Sequence, residues 1–182
     1  MKCRAAVAAL VASTLVLACN DDDPTGSGNS ARDYGALLSG NAVRPLPVTT
    51  DATGSATIHV TSGTSDIYDP NSDHLANFTY SVTVTGLSGP AMTVHIHGPS
   101  GTSDVGPVLA SLAVTSQQTN GIVSNGTFIG TENPQVSGDS LVVLLNSASA
   151  YVDVHTAGNG GGEIRGQAFL VNAFRVATSI RR

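Results

Sequence analysis

Two histidines flank one isoleucine in Met92–Gly101, MTVHIHGPSG, and a third follows an aspartate in Tyr151–Thr156, YVDVHT. Imidazoles at i and i+2 with a third on another segment form a donor set for copper or zinc, provided the rings converge to within ~2.0–2.1 Å of a zinc ion. His95, His97 and His155 are therefore a candidate three-nitrogen site for copper or zinc. Asp153 beside them, with Glu163 and Arg165 in the later stretch GEIRGQ, admits a second chemistry. Arg165 forked onto Glu163 or Asp153, with the histidines alongside, would be a hydrogen-bond and ion-pair network that fixes strand register. Residue types alone favour the network over the metal. No Ser-His-acid motif or nucleophile elbow is present, so no residue is assigned a catalytic role.

Both readings need strands that bring these side chains onto one face. Side chains alternate along a strand, so Met92, Val94 and Ile96 face one way while Thr93, His95 and His97 face the other. Val152 and Val154 likewise leave Tyr151, Asp153 and His155 opposite, and Ile164, Gly166, Ala168 and Leu170 leave Glu163, Arg165 and Gln167 opposite.

The same period of two recurs along the chain. In NFTYSVTVT, Phe78, Tyr80, Val82 and Val84 share a face, and in GSATIHV, Ala56, Ile58 and Val60 do so. Further strands are expected over Leu37–Asn41, Val108–Val114, Gly121–Ile129 and Glu163–Val171. About eight short strands joined by Gly-, Pro- or Asn-rich turns predict an all-β fold, a Greek-key sandwich or barrel. The exception is SGDSLVVLLNSASA, where Leu141, Leu144, Leu145 and Ala148 fall at helical spacing and Asp139 or Ser140 can cap one short helix. Val142–Leu145 is equally compatible with a strand.

Two other motifs carry less. Asp69-Pro-Asn71-Ser-Asp73 imitates the start of a calcium loop, but His74 and Tyr80 stand where glycine and glutamate are needed, so a turn is expected. Gly158–Gly162 precedes no helical pattern and is read as a hairpin turn rather than a phosphate cradle. His59 and His74 sit in no matching motif.

Composition supports one domain of ordinary size: the chain has 182 residues, of which 4% are aromatic and 12% charged. Its net charge is −5 and its eight basic residues are scattered, which argues against nucleic acid as a partner.

The first eighteen residues read as an export signal. Lys2 and Arg4 precede an uncharged run from Ala5 to Leu17, too short for the ~20 residues of a membrane-spanning helix. Val16-Leu17-Ala18-Cys19 resembles the lipobox of bacterial lipoproteins, which implies lipidation of Cys19, a membrane partner through that anchor, and an exported location on the periplasmic or cell-surface side. Residues 19–35 read as a flexible tether, residues 36–172 as the domain and residues 173–182 as a C-terminal tail. With Cys3 removed and Cys19 lipidated, no cysteine is left for a disulfide.

Four blocks carry a family resemblance: LLSGNAVRPLPVTTDATGSATIHV, NFTYSVTVTGLSGPAMTVHIHGPSG, GPVLASL and YVDVHTAGNGGGEIRGQ. Together, over about Leu37 to Leu170, they resemble the CHRD domain, named after chordin. The chain departs from the family's Glu-Val-Pro-Pro-like run at Val43-Arg44-Pro45-Leu46-Pro47. The resemblance implies an immunoglobulin-like sandwich or a barrel loosely similar to copper-zinc superoxide dismutases. Against that second likeness His95 and His97 match a His-x-His strand, His155 a later ligand, and Arg165 a nearby arginine. A bridging histidine and a zinc loop have no counterpart, which argues against a two-metal redox dismutase. The expectation is a lipid-anchored binding or structural module without catalysis, acting on an unidentified protein or small ligand. The alternative is a copper- or zinc-binding protein, or a redox enzyme, built on His95, His97 and His155.

Overall fold

The structure, a computed structural model, describes residues 32–62, 76–130 and 136–171. The signal segment, Cys19, the calcium-like Asp69–Asp73 run, His74 and the C-terminal tail lie outside the described residues.

Among the described residues nine strands and one α-helix follow one another, with a 3-10 turn at Gly40–Ala42 after the first strand: β1 (Arg32–Ser39), β2 (Thr53–Ser62), β3 (Asn77–Thr85), β4 (Ala91–His97), β5 (Val108–Leu112), β6 (Gly121–Ile129), α1 (Gly138–Asn146), β7 (Tyr151–Thr156), β8 (Asn159–Gln167) and β9 (Phe169–Leu170). The fold is all-β. Eight strands run in the order β5-β4-β7-β8-β1-β2-β3-β6, antiparallel throughout, while the two-residue β9 pairs with β1. A bridge between Val114 and Ser124, with Ser124 Oγ donating to Ala113 O at 2.7 Å, brings the two outer strands together. The result is a nearly closed barrel, in which the outer strands leave little unpaired edge.

The interior is filled by the alternating apolar positions. Phe78, Val82 and Val84 on β3, Ile58 on β2, Val94 and Ile96 on β4, and Val152 and Val154 on β7 are all buried, and Phe78 stacks on Phe128 with centroids 4.6 Å apart. Leu141 and Leu145, four residues apart and so on one helical face, bury that face of α1 completely. The helix cap is Ser137, whose Oγ accepts from Ser140 N at 3.2 Å, and neither Asp139 nor Ser140 serves as the N-cap.

Four further expectations change. β1 begins at Arg32, inside the expected tether, because Arg32–Ser39 pairs residue for residue with Thr53–Val60. Met92 is half exposed and Ala91 takes its place inside, because the ladder with β7 bulges between Ala91 and Thr93. The strand expected over Glu163–Val171 is interrupted at Ala168 and begins earlier, at Asn159. The hairpin turn is accordingly only Ala157-Gly158, and Gly160–Gly162 belong to β8.

Candidate metal centre

Register places the histidine-bearing strands side by side. β7 lies between β4 and β8, with His95 opposite Asp153, His97 opposite Tyr151, Thr93 opposite His155, and Asp153 opposite Arg165. Alternation then puts His95, His97, Asp153 and His155 on the face away from Val94, Ile96, Val152 and Val154. That face is not wet. The four side chains are only 8% to 19% exposed, because the β4–β5 loop and the glycine-rich start of β8 lie over them. Gly162 has φ +105°, and a Cβ there would lie 3.6 Å from Asp153 Oδ2. The positive φ favours glycine, whereas that approach is an ordinary van der Waals contact.

The ligating atoms face one another. His155 Nε2 lies 3.1 Å and His97 Nε2 3.3 Å from Asp153 Oδ1, while His95 Nδ1 lies 3.9 Å from that oxygen and 3.2 Å from His155 Nε2. One donor atom from each of the four residues falls within 4.8 Å of every other. A tetrahedral site with bonds of ~2.0–2.1 Å has ligand–ligand edges of ~3.3–3.4 Å, which is the scale of these separations.

Backbone carbonyls set the tautomers. His97 Nδ1 donates to Gly106 O at 2.9 Å and His155 Nδ1 donates to Gly160 O at 3.0 Å, since a carbonyl can only accept. In the neutral rings the lone pairs are therefore on the two Nε2 atoms, both aimed at a carboxylate oxygen. His155 Nε2 can accept from His95 Nδ1 at 3.2 Å, which leaves the His97 Nε2 lone pair facing the carboxylate oxygen, a repulsion that a proton or a metal ion between them would relieve. Protons would serve if the N–H vectors were aligned, yet His97 Nε2 and Asp153 Oδ1 are both buried without a hydrogen-bond partner. A central ion would satisfy both. The carbonyl contacts also match the outer-shell hydrogen bonds that orient metal-bound imidazoles.

Electrostatics agree. Burial raises the Asp153 pKa, but the close approach of His155 and His97 more than offsets it and holds the carboxyl at about 2. Burial lowers the His155 pKa, and the Asp153 carboxylate and Gly160 carbonyl reverse this to a net increase.

Arg165 and Glu163 do not form the expected fork. The Arg165 guanidinium donates through Nη1 to Asp104 O at 2.7 Å and through Nη2 to Gly101 O at 2.8 Å, and lies 3.5 Å over the Tyr151 ring. Tyr151 in turn stacks on His97 at 4.8 Å. The arginine therefore holds the covering loop and, through Tyr151, the plane of His97. Glu163 turns away from the histidines where Gly162 breaks the alternation. It accepts from Ser88 N at 2.8 Å, Ser88 Oγ and Thr156 Oγ1 at 2.7 Å each, and Thr50 Oγ1 at 3.0 Å. Burial raises its pKa, but these donors bring it below the ordinary value. Of the spare histidines, His59 pairs with Asp33 on the exposed face of β1 and β2.

The family model of the CHRD domain matches residues 34–168. The chain belongs to the CHRD family. The match runs through the barrel from Tyr34 to Ala168 and includes β4 and β7, which carry the histidine–aspartate cluster. No curated protein and no solved structure matches the chain.

Within this CHRD domain the three histidines expected as ligands are brought together. Asp153, expected only as a network residue, joins them as the fourth. The signal for it was its position, since the residue two before His155 on the same strand must share its face. Tyr151 shares that face by the same spacing, but its stacking on His97 and under Arg165 was not expected.

Proposed function

We propose that this CHRD domain is a metal-binding module in which His95, His97, Asp153 and His155 hold one zinc or copper ion. The observation that carries the reading is the pair of buried atoms without a hydrogen-bond partner, His97 Nε2 and Asp153 Oδ1, 3.3 Å apart and within 4.8 Å of a ring nitrogen from each of the other two histidines. Three imidazoles and one carboxylate suit zinc and copper(II), and copper binds tighter in the general order of divalent metals. When bound, the ion would supply charge that neutralises Asp153, and would polarise a ligand taken up by expansion from four to five positions. The protein supplies rigidity, with two strands fixing the ligands and carbonyls fixing the rings.

The module is exported and lipid-anchored in this reading, which rests on the positive residues, the apolar run and Cys19 in the sequence. Among the described residues no helix is long and apolar enough to cross a membrane. Cys19→Ala is expected to move the protein from the membrane to the soluble fraction, since each buried acyl methylene contributes ~0.8 kcal/mol to anchoring. Unchanged membrane partitioning would contradict the anchor.

For the metal, titration of the metal-free domain with zinc is expected to show one tight equivalent that His95→Ala combined with His155→Ala abolishes. Zinc binding that survives the double change would place the ion elsewhere.

A further inference from the structure

The ligand cluster opens on a cleft of about 150 Å³. His97, Asp153 and His155 line it while His95 does not. An ion among the four would therefore have His95 behind it and would take any fifth ligand from the side of the cleft. Two arginines, Arg44 and Arg165, share the lining with Val43 and Val105.

The two arginines differ in what they have left to give. Arg165 is committed through both terminal nitrogens to Asp104 O and Gly101 O, and to the Tyr151 face. Arg44 uses only Nη1, which donates to Asn41 O and Val43 O at 2.8 Å each. Five N–H groups make up a guanidinium, so the Nε and Nη2 hydrogens of Arg44 remain without a partner among the described residues. Arg44 is also half-buried, so its charge is less screened than that of a fully exposed side chain.

The charges in the cleft are one-sided. A divalent ion less the Asp153 carboxylate leaves one positive charge, two guanidiniums add to it, and the Asp104 carboxylate near Arg165 removes only one. This concentration of positive charge lies in a chain whose net charge is −5. Such a cleft with apolar walls draws in anions. Its volume has room for a few water molecules at ~30 Å³ each, which sets the size of the occupant.

We infer that the cleft binds a small carboxylate, one oxygen on the metal and the other on the Arg44 guanidinium. The inference rests on the metal reading above. A carboxylate fits better than a spherical halide because a guanidinium recognises two oxygens in a plane, and because a two-oxygen ligand can span ion and arginine.

The test is acetate titration of the copper(II)-loaded protein at constant ionic strength, followed by the electron paramagnetic resonance of the copper, with chloride as the comparison anion. Acetate is expected to give a saturable spectral change and to bind tighter than chloride. Arg44→Ala is expected to weaken acetate by at least about tenfold, as the loss of a charged hydrogen-bond partner does, and to leave one copper per chain. Arg44→Lys should recover part of the affinity. If Arg44→Ala disturbs the turn at Asn41–Val43, Arg44→Gln supplies the uncharged comparison with donors retained. Copper bound at one equivalent with no response to acetate, or with a response that Arg44 variants leave unchanged, would overturn this inference and spare the metal site. Failure of the wild-type protein to bind copper would overturn both.

Discussion

His97 Nε2 lies 3.3 Å from Asp153 Oδ1, across the β4–β7 ladder, and neither atom has a hydrogen-bond partner. The His97 ring cannot simply turn to relieve this, because its Nδ1 donates to Gly106 and its face is stacked on Tyr151. Asp153→Asn keeps the shape and removes the charge and one acceptor. Outer-shell changes alone weaken metal sites by ~10–100-fold, so loss of this ligand should weaken zinc by more than about a hundredfold. Competition with a chromogenic chelator measures it, and an unchanged affinity would remove Asp153 from the ligand set.

Without metal, Asp153 and His155 make stability depend on pH. Asp153 has its folded pKa depressed from 3.8 to about 2. Its contribution, about 2 kcal/mol, is present above 3.8 and lost as pH falls towards 2. His155 is raised above 6.5, so its contribution is complete below 6.5 and lost as pH rises through the elevated value. Urea unfolding of the metal-free domain should show this part of the stability greatest between about pH 4 and 6.5. With saturating zinc the neutral side reverses, since protons compete with metal for imidazole, and the gain from zinc should grow as pH rises through 6 to 7. A zinc effect independent of pH over that interval would contradict imidazole ligation.

Glu163 is fully buried and takes four hydrogen bonds from Thr50, Ser88 and Thr156, tying the segments before β2 and before β4 to β8. Glu163→Gln replaces one acceptor oxygen by a donor and should cost about 1–3 kcal/mol in denaturant unfolding. Zinc stoichiometry should remain at one. Loss of zinc in a folded Glu163→Gln protein would show that Glu163 belongs to the site.

Val94 is completely buried and paired on either side with Leu112 and Val154. Val94→Ala should lower stability by about 1–3 kcal/mol as a cavity-forming change, measured by the same unfolding experiment. No loss of stability would contradict the assignment of this face to the core.

The strands were legible wherever one face is apolar and the other polar. β6 does not alternate, with Val123 and Ser124 both buried where its ladder with β3 bulges, whereas β3 follows its alternation closely, and Val94, Ile96, Val152 and Val154 lie inside as their spacing requires. The three histidines shared a face for the same reason. What could not be read was that this outer face is itself covered. Asp153, Arg165 and Tyr151 are buried by a loop, Gly101 to Gly106, whose own residues carry no periodic signal. Arg165 therefore pairs with carbonyls, which the sequence does not distinguish from carboxylates 12 or 2 residues away at Asp153 and Glu163. Glu163 was misplaced because a positive φ at Gly162 and the register shift after Val154 break the alternation on which the face assignment depended.

The most direct test of the central claim is the metal content of the full chain, purified without a histidine tag from cells supplied with zinc and copper. Elemental analysis should give one zinc or copper per chain in the wild-type protein and none in Asp153→Ala combined with His97→Ala. A folded wild-type protein that carries no metal and takes up none on titration would contradict it.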